Sequence, residues 1–530
     1  MTRRSDSVDE VDLAEVDLTE ARGRIRTAFD PNLLRAAGHQ LADTLAAHLT
    51  HVQASGEAVL NWRQPEQNIA AAAATLGPPQ KPERTPASSA AGPMDPASVD
   101  VQQASEHFAR LVRVMLDGGL NLHDPRYIGH QVPASVPIAG LFDAVGSVTN
   151  QVMAVYEMGP WASAVEQAMV NRLGTLIGWP EGDFAGTVTH GGSLANLTAL
   201  LTARNVTLAD AWEKGLADGR PAPVLVAHGE AHYSVTRAAG ILGMGTRQIV
   251  RADLDERGRI DPNRLDATLS QLRAQNRPIV AVVACACATP IGAFDPLGEI
   301  SEVCRRHGVW LHVDAAHGGA ACLSRRYRHL VAGLDRADSV VWDAHKMLFV
   351  PALCAFVFYR DRKHRFEAFR QDAPYLFDAS APGLAEFDSG MKTVECTKRA
   401  ATFGLWGVWS MFGEQLFTDM VDVTFEMGHV FYEKLSAAVD FQPLHEPECN
   451  IVAFRHVPEE LRDARGDRLG TFQLELRREI IQSGEFYIVP TKKDGVGALR
   501  VTIINPLTTP EHLDRLMDAL REKGRKVLGG

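Results

Sequence analysis

Short β-rich segments alternate with helical patterns through the middle of the chain, and this alternation most limits the folds available to it. Six segments are rich in apolar and β-branched residues: 223–228, 248–252, 278–288, 310–316, 339–345 and 354–360. Helical patterns, such as those over 234–242 and 261–273, separate them. Strands that are joined through helices build βα units, whose strands lie parallel in one sheet. The alternation therefore predicts an α/β fold with a mainly parallel sheet.

An N-terminal helical segment is predicted over residues 1–138. Its acidic start is followed by a helical pattern over 33–49 and then by a run at 78–96 that contains six prolines. Proline fixes the backbone angle φ and lacks an N–H donor, so such a run disfavours both helix and sheet. We expect this run to be a linker or an extended arm.

Two domains are predicted after this segment. The βα pattern defines a large domain over 139–403. A long amphipathic pattern over 405–435 and two strand candidates, 451–456 and 499–504, follow it. Because this later part no longer alternates strand with helix, we predict a small α+β domain over 404–530.

The composition excludes several classes of partner. The formal charge is -11 and basic residues form no dense run, so the positive surface of a nucleic-acid-binding protein is absent. No run of about 20 apolar residues could span a membrane, and the N-terminal sequence lacks the apolar core of a signal peptide. The seven cysteines stand singly, with Cys285 and Cys287 inside an apolar run rather than at a ligand spacing. We predict a cytoplasmic protein with reduced thiols, no metal site, and no nucleic-acid or membrane partner.

The first candidate for chemistry is Lys346. Residues 337–351 read ADSVVWDAHKMLFVP, an apolar strand that ends abruptly at His345 and Lys346. Ligand-contacting groups of α/β enzymes lie at such strand ends. A partly desolvated lysine loses its proton more readily and can form an imine with an aldehyde cofactor. The alternative is a solvated loop lysine, so the assignment depends on partner residues.

Asp314 is the first such partner. It ends the apolar strand of WLHVDAAHGGA and is followed by small residues, among them Ala316. A carboxylate there can pair with the protonated pyridine nitrogen of a bound cofactor, and a small residue lets a flat ring lie against the backbone. The alternative is an aspartate that caps a turn.

Gly192 and Ser193 are the second partner, in TVTHGGSLANLTALLTAR. They open an amphipathic helix, whose first N–H groups are free to bind phosphate. An ordinary loop and helix N-cap is the alternative.

His232, in AHYSVTRAAGILG, is the third partner, because an imidazole there can stack on a pyridine ring. A capping or surface histidine is its alternative, and the order of these residues along one βα-built sheet favours the cofactor site.

With these motifs in place, the chain resembles the group II pyridoxal-dependent decarboxylases, the family of glutamate, cysteine sulfinate and aromatic amino acid decarboxylases. The resemblance runs from about residue 123 to 520. It implies a type I PLP-dependent transferase fold with a seven-stranded sheet, pyridoxal 5'-phosphate as cofactor and a homodimer.

The resemblance also assigns roles to individual residues. Lys346, Asp314 and His232 would be catalytic: the lysine holds the cofactor as a Schiff base, the aspartate meets the pyridinium and the histidine covers one ring face. Five further cofactor contacts are implied. His345, Gly192 and Ser193 would lie at the phosphate, Ala316 beneath the ring, and Thr289 of ATPIGAFDP near the ring substituents.

The implied reaction is decarboxylation of an L-amino acid to the amine and CO2, through a quinonoid intermediate. Arg500, in ALRVTIINPLTT, resembles the arginine that reaches a substrate carboxylate, and its planar fork suits that task. A strand-edge arginine that pairs with a surface acid is the alternative. Gln131, in HDPRYIGHQV, resembles a substrate contact of the glutamate and cysteine sulfinate branch, or else is an exposed loop residue. Both favour an acidic or small polar substrate.

The chain departs from the family in a loop that carries a proton-donating tyrosine in relatives. Between residues 377 and 399 it has no tyrosine, and Gly383 takes that place. If the proton arrives slowly, oxidative deamination to an aldehyde competes with amine formation. Another lyase or aminotransferase reaction on the same fold is a further alternative, and a cofactor-bearing regulator or scaffold is the non-enzyme alternative.

Overall fold

The computed structural model describes residues 19–76, 100–216, 219, 221–369, 386–464 and 467–529. The proline-rich run predicted at 78–96 and the position of Gly383 lie outside these residues. The chain divides into two compact units, residues 1–121 and 122–530. The domain boundaries placed at 138 and 403 from the sequence remain predictions.

The first unit is helical where it is described. Its helices are α1 (Thr19–Ala28), α2 (Pro31–Gln53), α3 (Pro65–Thr75) and α4 (Val101–Asp117). The carboxylate of Asp30 accepts a hydrogen bond from the backbone N–H of Asn32, and that of Asp100 accepts one from Gln103, so both side chains cap a helix start. The helical pattern predicted over 33–49 lies within α2.

The second unit contains the remaining helices and strands that the structure describes. Its helices are α5 (Pro137–Val148), α6 (Pro160–Ile177), α7 (Gly192–Thr207), α8 (Ala211–Lys214), α9 (Tyr233–Ile241), α10 (Pro262–Ala274), α11 (Leu297–His307), α12 (Ala344–Met347), α13 (Phe403–Ala437), α14 (Asp467–Ser483) and α15 (Pro510–Gly529). Its strands are β1 (Val152–Met153), β2 (Ala185–Thr189), β3 (Val224–His228), β4 (Ile249–Ala252), β5 (Ile279–Cys285), β6 (Trp310–Asp314), β7 (Ser339–Asp343), β8 (Ala355–Tyr359), β9 (Lys398–Arg399), β10 (Phe441–Pro443), β11 (Ile451–His456), β12 (Val489–Lys493) and β13 (Val496–Thr502). No helix in the described part of the chain is long and apolar enough to cross a membrane.

Seven strands form the large sheet, in the order β2-β8-β7-β6-β5-β3-β4. The pairs from β7 to β4 are parallel, whereas β8 runs antiparallel to both of its neighbours. Each of the six segments predicted from the sequence contains one of these strands, so the predicted α/β fold with a mainly parallel seven-stranded sheet is confirmed. The pattern did not indicate β2, because its sequence AGTVT contains a glycine and only one large apolar residue.

A second, antiparallel sheet has the order β10-β11-β13-β12. Helices α13, α14 and α15 pack on it around a core that includes Phe431, Phe454 and Leu476. The strand predicted at 451–456 is confirmed as β11, and the one predicted at 499–504 is shifted to β13. The long pattern over 405–435 corresponds to α13, which is interrupted at Gly413, where φ is 71°.

The parallel pairing brings the carboxyl ends of neighbouring strands to one edge of the large sheet. Cys285, the last residue of β5, pairs with Asp314, the last residue of β6, and Asp314 in turn pairs with Val341 of β7. Strand β7 ends two residues later, at Asp343, where helix α12 begins. Polar groups that follow these three strands therefore meet at this edge.

Candidate active site

A cavity of about 290 Å³ lies at the carboxyl ends of β5, β6 and β7. Nine of the ten residues predicted from the sequence line it: Gln131, Gly192, Ser193, His232, Thr289, Asp314, Ala316, His345 and Lys346. The tenth, Arg500, is not among the lining residues. Residues from six separate segments thus converge on one concave site, which is the usual form of a small-molecule site.

Lys346 lies in the short helix α12, directly after β7. Its Nζ atom is 3.3 Å from Oδ2 of Asp343, and Nε2 of His345 is 3.7 Å from the same oxygen. The other carboxylate oxygen of Asp343 is buried and has no hydrogen-bond partner in the part of the chain that the structure describes. The lysine is thus held at the cavity wall by an anion three residues earlier in the chain.

Asp314 is a buried carboxylate that polar neighbours orient. Its Oδ2 accepts a hydrogen bond of 2.9 Å from Nδ2 of Asn196, and its Oδ1 accepts one of 3.2 Å from the backbone N–H of Ala316. No lysine, arginine or histidine among the described residues forms a salt bridge with it, which leaves the negative charge available to a ligand cation.

Behind Asp314, a chain of hydrogen bonds fixes the amide of Asn196. Nε2 of His312 lies 2.9 Å from Oδ1 of Asn196, and Nδ1 of His312 lies 2.8 Å from the hydroxyl of Ser339. That hydroxyl accepts a hydrogen bond from Nε1 of Trp310. Burial lowers the pKa of His312 to about 4, so the imidazole is neutral and its Nε2–H donates to Asn196.

The same amide links Asp314 to His232. Nδ2 of Asn196 donates to the hydroxyl of Ser234 at 3.0 Å, and that hydroxyl lies 2.8 Å from Nδ1 of His232. The backbone N–H of Ser234 also donates to Nδ1, so His232 caps helix α9. Burial lowers the pKa of His232, and a neutral ring whose Nδ1 is an acceptor carries its proton on Nε2.

Helix α7 begins at the cavity, and its first residues are Gly192 and Ser193. Gly191 precedes it with φ of 107°, a conformation that favours glycine. A Cβ atom at Gly192 would lie 2.6 Å from Oδ2 of Asp343, so no larger side chain fits there unless the carboxylate moves. The first N–H groups of a helix have no partner within the helix, and here they belong to residues that line the cavity.

Thr289 and Gln131 line the cavity, and Arg500 lies behind Thr289. Nη1 of Arg500, on β13, donates to the carbonyl oxygen of Thr289 at 2.8 Å. Burial lowers the pKa of Arg500 to about 10, and its Nε has no hydrogen-bond partner within the described segments. The arginine is therefore a buried cation with unused donor capacity next to the cavity.

Several lining residues were not predicted from the sequence. Asn196 and Asp343 were missed because each acts through a contact between segments that lie far apart in the chain. His190, whose Nδ1 lies 2.7 Å from Oε1 of Glu395, was missed for the same reason. For His190 and Asn196, the available signal was the run THGGSLAN itself, which places both close to the two glycines.

The set of groups fits pyridoxal phosphate. The amine of Lys346 matches the aldehyde of that molecule. The buried carboxylate of Asp314 matches its ring nitrogen, and the start of helix α7 matches its phosphate. The absence of a Cβ at Gly192 leaves the helix start open.

Comparisons with known proteins also indicate a pyridoxal phosphate enzyme. The profile of the pyridoxal-dependent decarboxylase conserved domain matches residues 98–457. Acidic amino acid decarboxylase GADL1 of Mus musculus is 31% identical over 436 residues, which cover 81% of this chain and 78% of that protein. Cysteine sulfinic acid decarboxylase of Rattus norvegicus is 31% identical over 433 residues, covering 80% of this chain and 87% of that protein.

Solved structures share the fold. The crystal structure of mouse CSAD matches with a TM-score of 0.80 and 28% identity, over 93% of this chain and 98% of that one. The crystal structure of Oryza sativa TDC with PLP and tryptamine has the same TM-score at 20% identity, which supports the fold alone. Both matches extend well beyond the seven-stranded sheet.

Proposed function

This chain belongs to the pyridoxal-dependent decarboxylase family, and we propose that it releases the α-carboxylate of an acidic L-amino acid as CO2. Membership confirms the pyridoxal phosphate cofactor and the amino acid decarboxylase activity that were predicted from the sequence. The observation that carries the assignment is the meeting of Lys346, Asp314 and the start of helix α7 at one cavity. The substrate class and the residue roles below are our proposals.

Three groups of this chain would hold the cofactor. Lys346 would bind its aldehyde carbon, and the N–H groups of Gly192 and Ser193 would bind its phosphate. Asp314 would keep a proton on the ring nitrogen, with its carboxylate oriented by Asn196 and by the backbone. When bound, the cofactor supplies an electron-withdrawing ring that accepts the electrons of the bond from Cα to the carboxylate.

His232 would cover one face of the cofactor ring. Its Nδ1 is engaged by Ser234, so its orientation is fixed and the Nε2 proton remains for the cavity. A fixed neutral imidazole can restrict the ring to one position without adding charge beside the lysine. Ala316 would lie beneath the opposite face, and His345 would approach the phosphate.

An acidic substrate is supported by two observations. Relatives that are 31% identical are named for acidic amino acids and cysteine sulfinic acid. Gln131 lines the cavity, and the buried cation Arg500 lies directly behind Thr289. A cation near the substrate side favours a side-chain carboxylate or sulfinate over an aromatic ring.

The absence of a tyrosine between residues 377 and 399 favours a second candidate function, oxidative deamination to an aldehyde. That route releases CO2 as well, but it also releases ammonia and consumes oxygen. The two functions therefore differ in their other products.

A panel of L-amino acids, scored for CO2, amine, aldehyde and ammonia, tests this proposal. We expect acidic substrates to give CO2 and amine in equal amounts and to exceed aromatic ones by at least ~10-fold in kcat/KM, a difference of about 1.4 kcal/mol. Aldehyde and ammonia in excess of amine would favour the second function. Preference for aromatic substrates would contradict the proposed class.

Lys346→Ala tests the cofactor assignment. We expect the variant to lose the visible absorbance of covalently bound pyridoxal phosphate and nearly all turnover, because no amine remains to bind the aldehyde. Lys363→Ala, at an exposed lysine outside the cavity, serves as the control and should behave like the wild type. Unchanged turnover in Lys346→Ala would overturn the assignment.

We further propose a cytoplasmic homodimer. The seven cysteines are all free thiols, which suits a reducing compartment. Leu141, Val145 and Val148 are each more than half exposed and share one face of helix α5. An apolar face of this kind favours burial against a second copy of the chain.

A further inference from the structure

Two thiols and an imidazole meet at one edge of the cavity. Cys287 follows β5, His317 follows β6 and Cys449 precedes β11. The sulfur atoms of the two cysteines are 3.9 Å apart, and a ring nitrogen of His317 lies within 4.8 Å of both. All three side chains are buried. This group shares no residue with the cofactor contacts proposed above.

The hydrogen bonds of His317 leave one nitrogen free. Nε2 lies 2.8 Å from Oδ1 of Asn450, while Nδ2 of Asn450 donates to the carbonyl of Ile503. The orientation of this amide makes Nε2 the protonated nitrogen, so Nδ1 carries a lone pair. Among the described residues Nδ1 has no hydrogen-bond partner, although His317 is only 2% exposed. A buried acceptor without a donor is costly unless a ligand occupies it.

The spacing of the sulfur atoms suits a metal ion. Two sulfur atoms at about 2.3 Å from a tetrahedral ion are about 3.8 Å apart. The observed 3.9 Å between Cys287 and Cys449 agrees with that value and greatly exceeds a disulfide bond of about 2.05 Å. Gly292, with φ of 72°, lets the neighbouring loop pass close to the sulfur of Cys449, since a Cβ there would lie 2.6 Å from it.

The charges and the second layer of contacts also suit zinc. A Zn²⁺ ion, two thiolates and a neutral imidazole sum to zero charge, which is the arrangement that a buried site tolerates best. A metal-bound histidine commonly donates its other N–H to an oxygen acceptor, and Asn450 provides that acceptor here.

We propose that Cys287, His317 and Cys449 bind one Zn²⁺ ion beside the cofactor pocket. Cys287 and His317 line the cavity whereas Cys449 does not, so the fourth coordination position faces the cavity. Zinc sites with three protein ligands keep such an open position. This proposal replaces the sequence-based prediction of no metal site, because its ligands come from three segments and no local spacing reveals them.

Cobalt substitution tests the site. The full-length enzyme is freed of bound metal with a chelator, loaded with pyridoxal phosphate and titrated with Co²⁺, and absorption is followed in the red region, where the cofactor does not absorb. We expect the bands of tetrahedral, thiolate-bound Co²⁺ at one ion per chain, and their loss on addition of Zn²⁺. Cys287→Ser and Cys449→Ser should each abolish the bands. Cys304→Ser, at a buried thiol outside the group, and Cys396→Ser, at the exposed thiol, should retain them.

Two results would overturn the proposal: no stoichiometric Co²⁺ in the wild type, or bands that survive in Cys287→Ser or in Cys449→Ser. X-ray absorption at the zinc edge of the wild type gives an answer that does not depend on how the variants fold. We expect two sulfur atoms at about 2.3 Å and nitrogen at about 2.0 Å, and a shell of oxygen and nitrogen alone would contradict the site.

Discussion

Gly192 begins helix α7 against the carboxylate of Asp343, and this contact makes the residue testable. In Gly192→Ala the new Cβ would lie 2.6 Å from Oδ2 of Asp343, so the carboxylate or the helix start must shift. We expect pyridoxal phosphate to bind roughly 10- to 100-fold more weakly, the equivalent of an overpacking cost of about 1–3 kcal/mol. Fluorescence titration of the cofactor measures this. Gly298→Ala, where the nearest atom is 3.9 Å away, should bind the cofactor normally; equal binding by both variants would contradict the close contact.

His312 predicts an acid-dependent loss of stability. Burial lowers its pKa from 6.5 to about 4, so between these values the unfolded chain takes up a proton that the folded chain excludes. The free energy of unfolding therefore falls as the pH drops from 6.5 towards 4, by up to about 3 kcal/mol from this residue. His312→Gln should lose less stability over that range in urea unfolding. His329→Gln, at an exposed histidine, is the control, and identical pH slopes for wild type and His312→Gln would refute the prediction.

Single residues were predictable where a local motif carries their chemistry. Lys346 and Asp314 follow apolar strands, and the two glycines open a helix, so nine of the ten predicted residues line one cavity. Asn196 was not predictable, because its role depends on a side chain 118 residues away. Cys449 was missed for a similar reason, since its proposed metal-binding partners, Cys287 and His317, follow strands of the large sheet.

At the scale of elements, a buried ion pair joins helix α6 to strands β2 and β9. Nζ of Lys398 is 2.7 Å from Oε1 of Glu166 and donates to the hydroxyl of Thr187 and the carbonyl of Val188. Glu166 also accepts from Thr187 and from the backbone of Val188. The pair holds the edge strand of the large sheet between two other elements.

Lys398→Met is expected to destabilise the protein by about 3–5 kcal/mol, because it leaves a buried carboxylate without its cation. Urea unfolding measures this. The double variant Glu166→Gln/Lys398→Met should recover part of the loss, since the amide is neutral and still accepts from Thr187. Lys526→Met, at an exposed pair with Glu479, should cost at most about 1 kcal/mol, and a similar loss in both single variants would contradict the buried pair.

The order of strands and helices in the large sheet was predictable, because their alternation is visible in the sequence as alternating β-rich segments and helical patterns. Six strands of the large sheet were located within a few residues, whereas β2 was missed. Strands β10 (FQP) and β12 (VPTKK) were also missed, because each contains a proline and only one large apolar residue.

At the scale of the whole molecule, the apolar face of helix α5 predicts how two copies associate. Leu141→Glu/Val145→Glu puts two charges on this face, and we expect the dissociation constant of the dimer to rise at least ~10-fold. Light scattering after gel filtration should then report a mass closer to the monomer value of 57.8 kDa. Val439→Glu, at a more exposed residue outside the face, should leave the dimer intact. A monomeric wild type would rule out the proposed assembly.

The hydrogen bond from Arg500 to the carbonyl of Thr289 connects the two sheets at the cavity. Arg500 belongs to β13, the strand that pairs with both β11 and β12. A substitution in the hydrophobic core under β13 would therefore shift the cavity wall at Thr289, even where the substituted residue contacts no ligand. Variation in that core is a route by which substrate preference can change while Lys346 and Asp314, the proposed cofactor-binding residues, stay the same.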